Sequence, residues 1–338
     1  MTEESTSPTA DAALPSRPLV PLRALVTGAT GFIGSHLTRH LVAKGVEVHV
    51  LIRPGSDTWR LQDVWYRLHI HRGDLRAYED VQRVVRAVRP QALFHLGSYV
   101  NVKRRLDDVD EINRVIITGT LNLIRATLAE APECLFINTG TCEEYGDGPV
   151  PFREDQLPQP VSPYSAAKTA TTFFVQMAHK SLGLRGVTVR PFLTYGPAQQ
   201  PLRLIPQAIL AGLLKREFKM TPGEQTREFN YVEDIVAGYL QVARHPDVVG
   251  HILNLGNGQE VQIREIVRLI FDLMGNPIQP QIGALPYRPG ETWHFYSDPR
   301  KTQRLIEWYP MTPLKDGLRR TIAWYERHLD RVREKFGL

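Results

Sequence analysis

Thr27-Gly28-Ala29-Thr30-Gly31-Phe32-Ile33-Gly34 is the stretch that decides the fold of this chain. It follows the apolar run Arg23–Thr27, read as a strand, and opens the amphipathic segment Phe32–Lys44, read as a helix. Gly28 permits the tight turn, Gly31 lets backbone approach a pyrophosphate, and Gly34 lets the helix pack closely on the strand. The helix N-terminus then offers free N–H groups and the positive end of its dipole to the phosphates. The spacing is G-x-x-G-x-x-G, and its weight comes from lying between strand and helix at the head of a βαβ unit. The alternative is a glycine-rich turn that binds no nucleotide.

Working outward, the runs Val46–Ile52, Leu68–His71, Ala92–Leu96, Leu135–Asn138 and Val187–Arg190 predict further strands. The patterns at Tyr78–Val88, Ile112–Glu130 and Pro163–Leu182 predict helices between them. This alternation specifies an α/β fold, a Rossmann-type doubly wound parallel sheet covered on both faces. The first 20 residues, rich in Pro, Ser, Thr and acids, read as a disordered tail. The dinucleotide-binding domain is expected over 23–190. Beyond it Pro and Gly become frequent, and a smaller C-terminal α/β substrate lobe is expected over 191–230 and 257–330, closed by helices at Ile263–Met274 and Leu314–His328. The intervening 231–256 should return to the main sheet through a strand at His251–Leu255. A ligand belongs in the cleft between the lobes.

Composition narrows the function. Apolar residues at 42% and charged residues at 23% of 338 suit a soluble globular protein. No apolar run approaches the roughly 18 residues that span a bilayer, so no membrane partner is expected. Cys134 and Cys142 make no disulfide framework, which fits a reducing, cytoplasmic setting. The net charge of +5 is scattered among acids, as in Arg83–Arg89 and Arg319–Arg333, with no basic stripe and no interleaved aromatics, so nucleic acid is not an expected partner. No metal-ligand set is expected. A small anionic ligand is a better use for a few of the arginines.

At the end of the second strand, Leu51-Ile52-Arg53-Pro54-Gly55-Ser56 holds no carboxylate for a ribose 2′-hydroxyl. Arg53 suits a 2′-phosphate and can stack on adenine, which favours NADP(H) over NAD(H); the alternative is an exposed arginine ending a strand. Asp74, in Gly73-Asp74-Leu75, is placed to accept from the adenine amino group or to cap a helix. Tyr164 and Lys168, four residues apart after Ser162-Pro163, share one face of a helix near its start. An ammonium near a phenol, joined by an oxidised nicotinamide ring, should pull the tyrosine pKa down from about 10. Tyr164 then takes a proton from a sugar hydroxyl while hydride leaves its carbon, or returns one in reverse. In Thr139-Gly140-Thr141-Cys142-Glu143-Glu144-Tyr145-Gly146, Thr141 reads as a second donor to the reacting oxygen and Glu143 as an acid–base group at a neighbouring carbon. Their plainer alternatives are a backbone cap and an exposed loop acid. Cys142, with no ordered histidine indicated, reads as a packing residue.

Thr27–Gly34, Gly73-Asp74-Leu75, Thr141–Gly146 and Tyr164–Lys168 together resemble the extended short-chain dehydrogenase/reductase family of nucleotide-sugar epimerases, dehydratases and 4-ketoreductases, over about residues 23–330. The resemblance implies a tyrosine–lysine–threonine set (Tyr164, Lys168, Thr141, with Glu143 as further acid–base group) and a nucleoside diphosphate sugar as substrate. It implies cofactor contacts from Gly28, Thr30, Gly31, Phe32, Ile33, Gly34, Arg53, Asp74, Leu75, Leu96, Thr139, Tyr164 and Lys168. Gly223–Asp234 and Tyr287–Glu291 resemble the segments whose arginines, here Arg227 and Arg288, hold the diphosphate. Arg190-Pro191-Phe192-Leu193 stands where the family has an arginine, two spacers and a substrate-touching asparagine, and Leu193 departs from that pattern. Thr141, Cys142, Leu193, Arg227 and Arg288 are the implied substrate contacts.

Cys142-Glu143 keeps the glutamate of the 4,6-dehydratases and is similar to the Ser–Glu pair of the GDP-mannose type. The Glu-Glu-Tyr-Gly run also resembles GDP-4-keto-6-deoxymannose reductases. The leading expectation is reduction of a 4-keto-6-deoxyhexose carried on a nucleoside diphosphate, followed by 4,6-dehydration and then 4-epimerisation, against which Arg53 counts. A non-catalytic NADP-binding protein would have no need of Tyr164, Lys168 and Thr141 together. The resemblance implies a homodimer through the helices near Ile112–Glu130 and Pro163–Leu182.

Overall fold

A computed structural model describes residues 22–100, 102–288 and 290–338; the expected tail over 1–20 lies outside them. The first half runs β1 (Arg23–Thr27), α1 (Phe32–Ala43), β2 (Glu47–Ile52), β3 (His69–Arg72), α2 (Tyr78–Val88), β4 (Ala92–His95), α3 (Val109–Ile112), α4 (Gly119–Glu130), β5 (Leu135–Thr139), α5 (Pro163–Leu182) and β6 (Gly186–Pro191). The second half runs β7 (Thr194–Tyr195), α6 (Leu204–Leu213), β8 (Lys219–Met220), β9 (Thr226–Glu228), β10 (Asn230–Tyr231), α7 (Val232–Arg244), β11 (Ile252–Leu255), β12 (Glu260–Gln262), α8 (Ile263–Leu273), β13 (Gln281–Ile282), α9 (Arg300–Ile306), α10 (Leu314–Arg327) and α11 (Leu329–Phe336).

Seven strands form one parallel sheet in the order β11-β6-β5-β4-β1-β2-β3. The chain winds outward from β1 through β2 to β3, then crosses back to β4 and winds the other way. The strand order therefore reverses between β1 and β4, and a crevice opens above their carboxyl ends. Strand residues that are apolar at successive positions serve both faces. Val48, Val50 and Ile52 pack with Leu37 and Leu41 of α1 and Val236 and Leu240 of α7. Leu25, Leu93 and Phe136 pack on the opposite side with Val81 and Val85 of α2, Leu123 of α4 and Val175 of α5. The predicted strand at His251–Leu255 is β11, which joins the sheet beside β6 in the register Ile252↔Thr188.

Above the sheet lies a second core of Ile205 and Ile209 from α6, Ile266 and Ile270 from α8, and Leu318 and Ile322 from α10. Its strands are three short pairs, β7–β10, β9–β12 and β8–β13. One helix departs from expectation. The segment predicted as a single helix from Ile112 begins at Val109 and is interrupted by a π-helical stretch, Asn113–Thr118, before α4. That stretch carries the β-branched run Val115-Ile116-Ile117, which crowds an α-helical turn. From it Ile116 packs with Ile112, Tyr164 and Ala167, so the irregular turn lies directly behind the candidate site.

Candidate active site

The turn after β1 is built from backbone. Gly28 has φ +71°, and a Cβ there would meet the Gly97 nitrogen at 2.5 Å, so the turns after β1 and β4 touch only because this residue is glycine. A Cβ on Gly34 would run into the Gly28 carbonyl oxygen, which fixes how closely α1 approaches the turn. Gly31 caps α1 in an extended conformation, with Phe32 and Ile33 in the first turn and no acidic residue to compete for the free N–H groups. Thr30 lies in the same turn, and its carbonyl accepts from Arg60. Beneath the turn the buried His95 joins two strands and a helix: Nδ1 lies 2.7 Å from Thr27 Oγ1 and Nε2 3.0 Å from Thr120 Oγ1. Burial and the nearby Lys168 charge push its pKa down to about 3, so it is a neutral spacer.

Leu96 and Leu75 are half-buried beside this crevice, the Leu75 side chain resting against Gly97 and Gly119. Arg53 is exposed at the end of β2. Asp74 is engaged within the chain: its carboxylate accepts from the Arg76 backbone at 2.9 Å and from the Arg76 guanidinium at 2.6 Å, and Arg76 reaches on to Glu111 at 3.0 Å. That pairing holds the Asp74 carboxyl below its usual range. The helix-capping alternative for Asp74 is not realised, because α2 is capped at Ala77.

At the other wall, Ser162 and Ser165 form a capping box, and Pro163 occupies the first turn, so α5 starts sharply and aims Tyr164 and Lys168 inward. Both are buried. Lys168 Nζ donates to the Thr139 carbonyl at 2.7 Å, and burial pulls its pKa down to about 8. The Tyr164 hydroxyl hydrogen-bonds Thr141, which favours the phenolate, but burial and the acids Glu143 and Glu144 outweigh this and hold the phenol well above its usual value. The expected lowering by Lys168 is thus not met by the chain's own groups. The lysine hydrogen-bonds the strand carbonyl, and the charges that act on the phenol include those of Glu143 and Glu144.

Between these walls lies the loop Thr139–Gly146. Its two adjacent glutamates have opposite fates. Glu144 is fully buried and ion-paired with Arg190, Oε2 accepting from Nη2 at 2.7 Å and Nε at 3.0 Å, and also from Thr172 Oγ1 at 2.9 Å. Its Oε1 accepts from the Thr141 backbone at 2.8 Å, while Thr141 Oγ1 accepts from the Glu143 backbone at 3.3 Å. Thr141 is therefore both the backbone cap and the neighbour of Tyr164. Glu143 is partly exposed; burial raises its pKa, against the attraction of Arg227, Arg104 and Arg203. Cys142 is buried with Tyr145, Phe152, Phe192 and Phe295, and burial with the charges of Glu143 and Glu228 pushes its thiol far up, so it packs and does not react.

Of the implied substrate residues, Arg227 is clamped by Glu291 at 2.7 Å and by the carbonyls of Thr226 and Thr292 at 2.7 and 2.8 Å. Arg288 is exposed, and burial, joined by its like charge, lowers the pKa of Arg227. Leu193 is half-buried, and its carbonyl accepts from the Asn230 backbone at 2.8 Å. The fold thus gathers Thr141, Glu143, Tyr164, Lys168 and Arg227 on one side of the crevice and leaves Arg53 and Asp74 at its far end. Sequence reasoning missed Glu144 and His95, and it missed Arg104 and Arg203 as companions of Glu143. It cited Arg190 only as part of a pattern. A carboxylate and an arginine 46 residues apart carry no local signal of pairing.

A family model described as GDP-mannose 4,6 dehydratase matches residues 25–321. A UDP-glucose 4-epimerase of Mycolicibacterium smegmatis is 29% identical over 90% of this chain and 98% of its own. A dTDP-glucose 4,6-dehydratase of Neisseria gonorrhoeae is 30% identical over 89% and 94%. Among solved structures, a dTDP-glucose 4,6-dehydratase of Streptomyces venezuelae with NAD bound superposes with a TM-score of 0.83 at 27% identity, covering 91% of this chain and 98% of that one.

Proposed function

Because the chain belongs to the GDP-mannose 4,6 dehydratase family of extended short-chain dehydrogenases/reductases, we propose that it is a 4,6-dehydratase acting on a hexose carried by a nucleoside diphosphate. One observation carries this reading: a partly exposed glutamate of raised pKa, Glu143, stands beside Thr141 and Tyr164 and faces three arginines. Hydride exchange at C4 needs one acid–base group on the C4 oxygen, and Tyr164 fills that task. Glu143 is then the group that removes the C5 proton and protonates the departing C6 hydroxyl. Reduction of a 4-keto-6-deoxyhexose, the leading expectation from sequence, leaves Glu143 without a task, and the relatives described above are dehydratases and epimerases.

When bound, a nicotinamide dinucleotide would supply a hydride acceptor for C4 and, once water has left across C5 and C6, a hydride donor to C6, so that no cofactor is consumed. The turn at Gly28, Gly31 and Gly34, where Cβ atoms added at Gly28 and Gly34 would collide with backbone, fits its pyrophosphate. Thr30, Phe32, Ile33, Leu75, Leu96 and Thr139 would line it, with Arg53 and Asp74 at the adenosine end. Arg53 supports NADP(H), while the Streptomyces venezuelae relative holds NAD; calorimetric titration with both dinucleotides decides, and tighter NAD(H) binding removes the Arg53 argument. Tyr164 takes the proton of the sugar 4-hydroxyl, Thr141 hydrogen-bonds the same oxygen, and Lys168 holds the Tyr164 end of the site through the Thr139 carbonyl. Arg227 and Arg288 hold the diphosphate, and Cys142 and Leu193 border the sugar. The cofactor-binding unit comprises 23–190 and 231–256, the substrate lobe 191–230 and 257–330. A homodimer through α4 and α5 is supported by Phe173 and Met177, large apolar side chains exposed on α5.

The test is to incubate nucleoside diphosphate hexoses with the protein and oxidised dinucleotide. A product lighter by one water, without net cofactor consumption, is expected. A 4-epimerase is the second reading, favoured by the Mycolicibacterium smegmatis relative; it yields an isomer of unchanged mass. Stoichiometric NADPH consumption by a 4-keto sugar would restore the reductase.

A further inference from the structure

Far from this crevice, at the amino-terminal ends of β2 and β3, the open edge of the sheet collects four polar side chains. Strand alternation places Glu47 and His49 on one face of β2 and His69 and His71 on the same face of β3, with His49 in register opposite His69. One donor atom from each of Glu47, His49 and His69 lies within 4.8 Å of the other two. His49 Nε2 is 2.8 Å from a Glu47 carboxylate oxygen, and its Nδ1 is 2.9 Å from His71 Nε2. The His49 ring stacks on that of His69 at 4.6 Å and on that of His71 at 5.2 Å. His49 is buried in a strand whose other inward residues are Val48, Val50, Leu51 and Ile52, so an apolar residue would have packed there without a polar partner to satisfy.

We propose that Glu47, His49 and His69 bind a borderline divalent transition-metal ion such as Zn2+, with His71 holding the His49 ring from behind. Imidazole nitrogens and a carboxylate oxygen are the donors such ions prefer, and three protein ligands with water completing a tetrahedron is an established geometry. Metal–donor bonds of about 2.0–2.1 Å put tetrahedral donors roughly 3.3 Å apart, so this cluster need contract by no more than about 1.5 Å. Glu47 and His69 are exposed and can rotate to do so. The fourth residue gives the arrangement a direction. With His49 Nδ1–H donating to His71 Nε2, the His49 Nε2 lone pair points at Glu47 and is available to a metal, the outer-ligand pattern that orients metal-bound histidines. Arg23, whose charge acts on both Glu47 and His49, opposes a cation here. Arg83 acts on His71 in the same sense. A bound ion would clip β3, the edge strand, to β2.

The test is calorimetric titration of zinc sulfate into the full chain carrying no histidine tag, with thermal melting in parallel. One ion per chain is expected, a higher melting temperature with Zn2+, and at least tenfold weaker binding with loss of the melting shift in His69→Gln and Glu47→Gln. His49→Ala should do the same, but it empties a buried position. The two exposed variants, checked for native circular dichroism, are therefore the ones that decide. No binding by the natural chain, or one-to-one binding unchanged in His69→Gln, would overturn the site.

Discussion

The turn Thr27–Gly34 and the loop Thr139–Gly146 both leave strands of the same parallel sheet and face one crevice, yet they are built on different principles. The first is shaped by backbone. Gly28 and Gly34 are needed because neighbouring main chain occupies the space a Cβ would fill, and Thr27 adds a hydroxyl that accepts from the Gly97 backbone at 3.2 Å. The second is shaped by side chains. Glu144 is buried beneath it, holding the Thr141 backbone, Thr172 and Arg190 at once, so that the next residue back, Glu143, is presented to the crevice. Two glutamates adjacent in sequence thus divide into a fastener and a reagent. Burial of an ion pair at this depth costs desolvation and is repaid only where every lone pair is satisfied, as the four hydrogen bonds to Glu144 nearly achieve.

That contrast can be broken by substitution, and the largest effect falls at the reacting groups. Tyr164→Phe should lower turnover by about 10²–10⁴ while the dinucleotide still binds; unaltered turnover in a steady-state assay would remove Tyr164 from the chemistry. Next comes the fastener. Arg190→Met should cost about 3–5 kcal/mol in urea unfolding, because it strands a buried carboxylate. Glu143→Gln should change stability by less than about 0.5 kcal/mol and still abolish water loss. Equal destabilisation by the two would erase the distinction between the neighbours. In the backbone-built turn, Gly34→Ala should cost about 1–3 kcal/mol and weaken dinucleotide binding, since the added methyl meets the Gly28 carbonyl.

Two smaller effects sharpen the picture. Lys168 has a folded pKa of about 8 against an unfolded value of 10.5. Below pH 8 both states carry the proton and folding bears the full cost of burying the charge. Between 8 and 10.5 the unfolded chain binds more proton, so this residue's contribution to stability rises with pH by at most about 1.4 kcal/mol per unit. Unfolding midpoints of the natural chain and Lys168→Met, compared at pH 7.5 and 9, should therefore diverge in favour of the natural chain; a constant difference would place the lysine's pKa elsewhere. Arg53→Ala should shift the preference between NADP(H) and NAD(H) by no more than about tenfold, since an exposed arginine is well screened.

How much of this was legible follows from the same physics. The sheet and the glycine turn rest on local signals, and β1, α2 and α5 fall on the predicted residues. Strand apolar runs, Ser162-Pro163 and the glycines each act within a few residues of themselves. Most of what escaped depends on distant partners. The pairing of Glu144 with Arg190 and the shielding of His95 between Thr27 and Thr120 required the finished sheet. The π-helical stretch at Asn113–Thr118 escaped for a local reason, because a periodic apolar pattern conceals it. Tyr164 and Lys168 were legible as neighbours on a helix, but their electrostatics were not, because the burial that holds the phenol up, and the acids of the loop after β5 that add to it, come from the assembled site.

The central claim, that Glu143 works at C5 while Tyr164 works at the C4 oxygen, is tested most directly by running the reaction in D2O and reading deuterium in the product by nuclear magnetic resonance. The account predicts solvent deuterium at C5 of a 4-keto-6-deoxy product, lost with Glu143→Gln. A product formed without deuterium at C5, or deuterium incorporation indifferent to Glu143→Gln, would contradict it.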